Sequence, residues 1–147
     1  MAGPSAVAVI ETPDSFLLEE RPDLPGKLAH AGKLQLFGGH ADAGEGADDA
    51  VRRELREEVG LQVAGPLSLL FDGEVDSQNK VGEPVKRHVS LFGGIVVNSA
   101  AALTPRIPGT KVAEIPKTRE GIEANRDRLT PFALQALMKV VKGEAWR

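Results

Sequence analysis

Several residue types are scarce in this chain of 147 residues, and each scarcity excludes a class of protein. Cysteine is absent, which excludes disulfides, thiolate metal sites and a cysteine nucleophile. Tyrosine is also absent and tryptophan occurs once, as Trp146, so an aromatic platform for stacking single-stranded nucleic acid is poorly supplied. No apolar run approaches the roughly 18–20 residues of a membrane-spanning helix. The sequence therefore predicts no membrane span and no cysteine chemistry.

Basic residues are not in excess either, because the formal net charge is −3. This balance argues against binding to duplex nucleic acid, which requires a basic face. An acidic protein can still bind small phosphates when a metal ion bridges the like charges. The N-terminus lacks the features of a secretory signal, and the absence of cysteine is compatible with a reducing cytoplasm, where we expect the protein.

The length and composition are those of an ordinary folded domain. Hydrophobic residues make up 41% and charged residues 27% of the chain, close to the average for globular domains. A chain of this length buries roughly 68–70% of its unfolded surface and supports one core without disulfides or metal staples. We therefore expect a single domain over residues 1–147.

Hydrophobic periodicity predicts six strands and two helices. Gly38 and Gly39 are expected to end the third strand, with loops at 21–32, 40–46, 76–84 and 98–109. The predicted strands are Ser5–Glu11, Phe16–Glu20, Lys33–Phe37, Pro66–Val75, Val85–Val97 and Lys111–Ile115. The predicted helices are Ala47–Val59, which Gly60 would end in a left-handed cap, and Pro131–Val141, with a buried stripe of Phe132, Leu134, Leu137, Met138 and Val141. This order predicts an α/β (α+β) fold in which helices cover a mixed sheet.

The charges on the helix over 47–59 are unusually arranged. Glu54, Glu57 and Glu58 are three and four residues apart, so they share one face. Val51, Leu55 and Val59 form the neighbouring, buried arc, which places the carboxylates at the edge of the core. Like charges at this spacing repel by roughly 0.2–0.5 kcal/mol per pair. A divalent cation would remove this repulsion, and oxygen ligands suit Mg²⁺ or Mn²⁺.

The carboxylate cluster alone also fits a plain solvated helix. In that interpretation Asp48 pairs with Arg52 and Asp49 with Arg53, as ordinary ion pairs at a spacing of four residues, and the arginines lie away from the carboxylate face. Charged helix faces are common, so the cluster by itself favours this simpler interpretation. The wider segment decides between the two.

The segment from Gly39 to Leu61 resembles the Nudix box, G-x5-E-x7-R-E-U-x-E-E-x-G-U, in which U is a bulky aliphatic residue. Average residue usage gives a chance match at one start on the order of one in a billion. Every fixed position matches, at Gly39, Glu45, Arg53, Glu54, Leu55, Glu57, Glu58, Gly60 and Leu61. The resemblance implies the α/β/α sandwich of Nudix hydrolases and a pyrophosphohydrolase activity on nucleoside diphosphates linked to another group.

The resemblance also implies roles for the matched residues. Glu57 and Glu58 would be the principal ligands of Mg²⁺ or Mn²⁺. Glu54 would be a further ligand or would help to activate the attacking water, and the carbonyl of Gly39 would be another ligand. Arg53 would pair with Glu45 and orient the carboxylates, as groups just outside a metal site commonly do.

Candidate substrate contacts lie next to the box. The glycines Gly38 and Gly39 would let the backbone approach the phosphates closely, and Arg21 and Lys33 are candidate phosphate contacts. Some family members place the catalytic base on a distant loop; Glu74, Glu83, Glu114 and Glu120 are the candidates here. His40 and His88 are interpreted as a loop residue and a structural strand residue.

The resemblance leaves the substrate open. The proline expected for ADP-ribose specificity and the tyrosine expected for diadenosine polyphosphates are absent, and the coenzyme A pattern is only partly present. By elimination, a nucleoside triphosphate or its damaged form is favoured, with ADP-ribose, nucleotide sugars and coenzyme A as alternatives. A non-catalytic nucleotide sensor with this fold is a second alternative. Many relatives are homodimers, but no segment here identifies a dimer face.

Overall fold

The computed structural model describes residues 4–21, 32–78 and 81–144. These residues form seven strands, three α-helices and two 3₁₀ turns. The strands are β1 (Ser5–Glu11), β2 (Ser15–Glu20), β3 (Leu34–Gln35), β4 (Phe37–His40), β5 (Ser68–Gln78), β6 (Pro84–Val96) and β7 (Lys111–Pro116). The helices are α1 (Ala47–Val59), α2 (Arg119–Ala124) and α3 (Pro131–Lys142), and the 3₁₀ turns are Ala100–Ala102 and Arg126–Arg128.

The strands form one mixed sheet with β1 at its centre. The order is β3-β2-β1-β6-β5, and β1 pairs with β6 in parallel, whereas the other pairs are antiparallel. β1 has buried residues on both faces, as expected of a central strand covered on both sides. The predicted mixed sheet with helices on its faces is confirmed.

Two hydrophobic cores lie on opposite faces of the sheet. On one face α1 contributes Val51, Leu55 and Val59 to a core with Ala6 and Phe37. On the other face α2 and α3 contribute Ile122 and Leu137 to a core with the alternate strand residues. The predicted buried arc of α1 is therefore confirmed. No helix in the described part of the chain is both long and apolar enough to span a bilayer.

The third predicted strand differs most from the structure. It is divided into β3 and β4, and Gly38 and Gly39 lie inside β4, where the sequence placed its end. The prediction was wrong because glycine usually weakens strands, whereas Gly38 lies so close to β1 that no side chain fits there. Most of the predicted 21–32 loop lies outside the described residues.

Smaller differences occur in the second half of the chain. The β5–β6 hairpin includes residues 76 to 78, which were predicted as a loop, because they pair with residues 84 to 86. Helix α2 was not predicted. In α3 the buried residues are Ala133, Ala136 and Leu137. Of the predicted stripe only Leu137 is fully buried, since the small alanines allow the helix to lie close and the larger side chains pack beside them.

Candidate active site

The site forms where one edge of β1 is shared between two strands. Residues Ser5–Ala8 of β1 pair with β4, whereas Ile10 and Glu11 pair with β2 on the same edge. The segment from Leu34 to His40 pairs first with β2, as β3, and then with β1, as β4. Helix α1 packs over β4 and β1. The division between β2 and β4 therefore lies beside the face of α1 that carries the motif glutamates.

Gly38 and Gly39 have different neighbours at this division. Gly38 has φ of 142°, and a Cβ atom there would lie 2.1 Å from the carbonyl oxygen of Ala6. A Cβ atom on Gly39 would lie 2.7 to 2.9 Å from the carboxyl atoms of Glu54. Gly38 therefore lets β4 approach β1, and Gly39 leaves the space in which the Glu54 carboxylate lies.

Arg53 connects the carboxylates of the motif. Its Nε and Nη2 donate to the two oxygens of Glu45 at 2.8 and 3.0 Å. Its Nη1 donates to Glu54 at 3.0 Å and to Glu57 at 3.1 Å, and Nη2 also donates to the carbonyl of His40 at 3.1 Å. The planar guanidinium suits such forked pairing. Arg53 thus fixes three carboxylates and the start of the box loop relative to one another.

The ordinary ion pairs predicted for α1 are only partly formed. Arg52 pairs with Asp48 at 2.6 Å, as predicted. The Arg53 side chain does not lie on the far side of the helix and forms no ion pair with Asp49 in the described part of the chain; it pairs with Glu45, Glu54 and Glu57 instead. Glu45 and Glu54 are each only 17% exposed, so their pairing with Arg53 is stronger than the exposed pair that Asp49 offers.

Glu45 and Glu58 have opposite electrostatic surroundings. The hydrogen bonds from Arg53, followed by the backbone N–H of Asp42, lower the pKa of Glu45 to about 2. Burial, followed by the nearby charges of Glu19 and Glu54, raises the pKa of Glu58 to about 8, although Arg21 and a backbone hydrogen bond from Gly38 oppose this shift. Glu58 Oε1 is buried without a hydrogen-bond partner among the described residues.

Glu19 was not predicted as a site residue, yet it lies beside this cluster. It is buried on β2, where it accepts hydrogen bonds from Arg21 and Gln35. The available signal was its position: Glu19 follows Leu17 at a spacing of two, so it points to the same face as a core residue. A carboxylate at an inward strand position requires partners.

The predicted substrate contacts line one large cleft on the α3 side of β4. Arg21, Lys33, Gly38 and Gly39 all lie on its walls, and its volume is about 1160 Å³. Arg87 and Phe132, which were not predicted as contacts, also line it. The carboxylates of Glu54 and Glu58 lie against Gly39 and Gly38 respectively. The cleft therefore meets the carboxylate cluster at the glycine strand.

The other candidates lie elsewhere or take part only in local contacts. His40 lines the cleft, whereas His88 is exposed and contacts Asp72 at 2.7 Å. Ser15 donates to Glu114 at 3.2 Å. The four candidate bases outside the box, all of them described residues, are absent from the cleft walls: Glu74, Glu83, Glu114 and Glu120.

Residues Thr104 and Arg106 hold the C-terminal end of α1. Gly60 caps the helix in the left-handed conformation, as predicted, with φ of 67°. The N–H groups of Thr104 and Arg106 donate to the carbonyls of Val59 and Glu58 at 2.9 and 2.8 Å. The Arg106 guanidinium lies against Gly60, where a cation stabilises the end of a helix. This loop therefore fixes the turn that carries Glu57 and Glu58.

The residues present fit a hard divalent cation. The atoms available to bind a metal are carboxylate and carbonyl oxygens, which suit Mg²⁺ or Mn²⁺. Glu58 Oε1 has no hydrogen-bond partner among the described residues and is therefore available as a metal ligand. Within the described ranges no three acidic or histidine side chains converge closely enough to form a closed metal site. Mg²⁺ needs only one or two protein carboxylates when waters and substrate phosphates complete its coordination.

Comparison with known proteins identifies the family of this chain and structures with a similar fold. Residues 1–115 match the family model of the NUDIX domain. No curated protein gives a significant match to the chain. A NUDIX hydrolase from Nitrosomonas europaea has a similar structure, with a TM-score of 0.66 and 25% sequence identity over 99% of this chain and 93% of that one.

Two further solved structures share the fold at lower identity. The MutT protein from Methanosarcina mazei Go1 matches with a TM-score of 0.67 and 20% identity, over 97% of this chain and 96% of that one. The NUDIX domain of Shewanella oneidensis NrtR, solved with ADP ribose, matches with a TM-score of 0.70 and 18% identity, over 97% and 88% of the two chains.

Proposed function

Because the chain belongs to the Nudix family, whose hydrolases act on phosphoanhydride bonds, we propose that it cleaves a nucleoside diphosphate linked to another group. Water supplies the nucleophile: its oxygen forms a new bond to phosphorus while its proton passes to a carboxylate of the site or to solvent. The bond from phosphorus to the bridging oxygen breaks, and the leaving group departs with that oxygen as a phosphate. Nudix hydrolases generally use divalent metals. The proposal assigns the metal-binding role to Glu57, Glu58, Glu54 and the carbonyl of Gly39.

Glu58 carries this proposal. Its Oε1 is enclosed by protein and has no hydrogen-bond partner in the described chain, and Glu19 and Glu54 add negative charge nearby. A buried carboxylate oxygen without a partner costs free energy unless a ligand binds it. A divalent cation is the ligand that offsets both the missing hydrogen bond and the like charges.

When bound, the ion would neutralise phosphate oxygens and make a bound water more nucleophilic. The protein's own groups orient the reaction: Arg53 holds Glu54 and Glu57 in place, and Gly39 lets the Glu54 carboxylate approach the strand. Glu54 either accepts the proton of the attacking water or holds an ion. A Glu54→Gln variant with lower kcat but unchanged metal affinity would assign it the proton-accepting role.

Among the possible substrates we propose a nucleoside triphosphate, or a damaged form of one, and the residues of the cleft support binding of a nucleotide. Arg21, Lys33 and Arg87 bring positive charge to its walls, which suits a polyanionic chain. Phe132 adds an aromatic ring to the same cleft, and such rings stack on nucleobases. These contacts extend from the glycine strand to the N-terminus of α3, a span suited to both the phosphates and the base.

The test is release of phosphate and nucleotide from a substrate panel with Mg²⁺ or Mn²⁺. The panel contains nucleoside triphosphates, oxidised guanine nucleotides, ADP-ribose, nucleotide sugars, dinucleoside polyphosphates and coenzyme A. We expect turnover that requires the metal, is fastest with a triphosphate, and falls at least about 100-fold in Glu57→Gln, beyond the 10–100-fold typical of groups outside the coordination shell.

The matched control is Glu144→Gln, which removes an exposed carboxylate beyond the end of α3. It should keep the native rate. Faster hydrolysis of ADP-ribose, a nucleotide sugar or coenzyme A would replace the substrate assignment but keep the mechanism. Tight nucleotide binding without turnover of any compound would contradict the hydrolase proposal and favour a nucleotide sensor.

A further inference from the structure

Glu19 is a buried carboxylate that the motif does not account for. It lies on β2, and its side chain is 3% exposed. Leu17, two residues earlier on the same face, belongs to the hydrophobic core. The electrostatic effect of Glu19 on Glu58 adds to the repulsion within the site. An apolar residue here would avoid that repulsion, so the carboxylate requires a different explanation.

The contacts of Glu19 supply one. Its Oε1 accepts hydrogen bonds from Arg21 Nε at 3.0 Å and from Gln35 Nε2 at 2.8 Å. Gln35 lies directly opposite Glu19 in the β2–β3 pair, so it helps to fix the carboxylate. A hydrogen bond between an ionised donor and an ionised acceptor is stronger than a neutral one. Glu19 therefore holds the Nε edge of the Arg21 guanidinium.

The hydrogen bond to Glu19 uses Nε of Arg21 and not its two terminal nitrogens. Its two terminal nitrogens make no hydrogen bond to another residue within the described ranges, and Arg21 is 33% exposed on the wall of the cleft. A free arginine side chain has many rotamers, and ordering it on binding weakens affinity. A guanidinium already held at Nε presents its terminal N–H groups to an anion without that loss.

We propose that Glu19 is a positioning residue, which holds Arg21 so that its terminal N–H groups donate to a phosphate of the substrate in the cleft. The inference rests on the proposed function for its substrate, and it assigns Glu19 no contact with the reacting atoms. Glu19 acts through Arg21, so its removal should weaken substrate binding only while Arg21 is present.

A double-mutant cycle in the full-length protein tests this dependence. The variants are Glu19→Met, which keeps the length and removes the acceptor, Arg21→Gln, and the two combined. We expect Glu19→Met to raise KM about 10-fold with a smaller change in kcat, in the range for groups that orient a ligand-binding residue. In the Arg21→Gln background the same change should alter kcat/KM less than about 3-fold.

The conservative variant Glu19→Gln keeps an oxygen acceptor for Arg21 and should recover part of the loss. Glu19 also adds negative charge beside Glu58, so the rates of all variants are compared at a saturating metal concentration. Equal, additive losses in both backgrounds would overturn the proposal, because they would make Glu19 act independently of Arg21. If Glu19→Met does not fold, the Glu19→Gln cycle decides the question.

A failure of the proposed function is distinguishable from a failure of this inference. If the native protein hydrolyses nothing in the panel, the same cycle is measured on the Kd of inorganic pyrophosphate by calorimetry. If Glu19→Met weakens pyrophosphate binding in the native background but not in the Arg21→Gln background, the positioning role of Glu19 is supported even though the protein is not a hydrolase. Unchanged or additive affinities overturn it.

Discussion

Glu45 and Glu58 belong to one motif, yet the fold treats their carboxylates in opposite ways. Glu45 lies before α1 and accepts hydrogen bonds from Nε and Nη2 of Arg53, so its charged form is favoured and its pKa falls to about 2. Glu58 lies in the last turn of α1, partly buried beside two other carboxylates, and its pKa rises to about 8. The hydrogen-bonding capacity of Glu45 is satisfied within the protein, whereas that of Glu58 is not.

This difference separates two functions within the motif. The Glu45–Arg53 ion pair forms without any ligand and fixes the loop before the helix. Without a bound cation, the charged form of Glu58 is destabilised by burial and by the neighbouring carboxylates. A bound cation would offset both effects. A sequence pattern gives all motif glutamates equal weight, but their surroundings distinguish a structural carboxylate from one suited to a ligand.

The largest expected effect is the loss of metal stabilisation when Glu58 is changed. A divalent ion at about 100 times its Kd should stabilise the native protein by about 2.7 kcal/mol, or roughly 5–10 °C in Tm for a chain of this size. Glu58→Gln should lose this increase, whereas Glu45→Gln should retain most of it. Thermal unfolding with and without Mn²⁺ measures both. If both variants lost the metal-induced increase in Tm equally, Glu45 and Glu58 would not differ in metal binding.

The next effect is the pH dependence of stability without divalent ions. The pKa of Glu58 rises from 4.5 to about 8 on folding. Its contribution to the free energy of unfolding is therefore fully present below pH 4.5 and is lost as the pH rises through 8. The expected loss is about 2 kcal/mol, less than the full shift implies because the side chain is partly solvated. Glu45 has the opposite sign: its contribution is present above pH 4.5 and is lost as the pH falls towards 2.

Urea unfolding of the native protein and Glu58→Gln between pH 4.5 and 9 measures this contribution. The variant should be less sensitive to pH and more stable than the native protein at pH 9. Parallel pH profiles for the two proteins would show that Glu58 is not destabilised in the folded state.

The smallest of the three effects concerns the Arg53 fork. Arg53→Lys keeps the charge but cannot bond Glu45, Glu54 and Glu57 together, since an ammonium lacks the planar fork. We expect kcat/KM to fall about 10-fold, at the lower end for groups that orient metal ligands. Arg52→Lys is the matched control, because Arg52 bonds Asp48 and the carbonyls of Val63 and Gly65, away from the cleft. Equal rates for the two variants would contradict the orienting role.

The elements that local signals specify could be predicted from the sequence. Helix α1 has the predicted bounds, with acidic residues in its first turn and Gly60 as its left-handed cap. Helix α3 begins after Thr130 with a proline in its first turn, as predicted. Such caps depend on a few adjacent residues, so they can be read from a single chain.

Features that depend on distant pairing could not be predicted. The glycines of β4 belong to a strand only because β1 and Glu54 occupy the space beside them. The burial of Glu19 depends on β3 and α1, which lie far along the chain. Helix α2 has only six residues and one buried side chain, Ile122, too few for a periodic pattern.

The bonds from Thr104 and Arg106 to the end of α1 have a consequence for local opening. Helix ends usually fray, and their amides exchange with solvent long before the whole protein unfolds. Here the carbonyls of Val59 and Glu58 accept hydrogen bonds from a loop more than 40 residues further along the chain. Fraying of the turn that carries Glu57 and Glu58 therefore requires this loop to detach as well. We therefore expect the two segments to open together, so that the exchange rates of the Thr104 and Arg106 amides report on the integrity of the site.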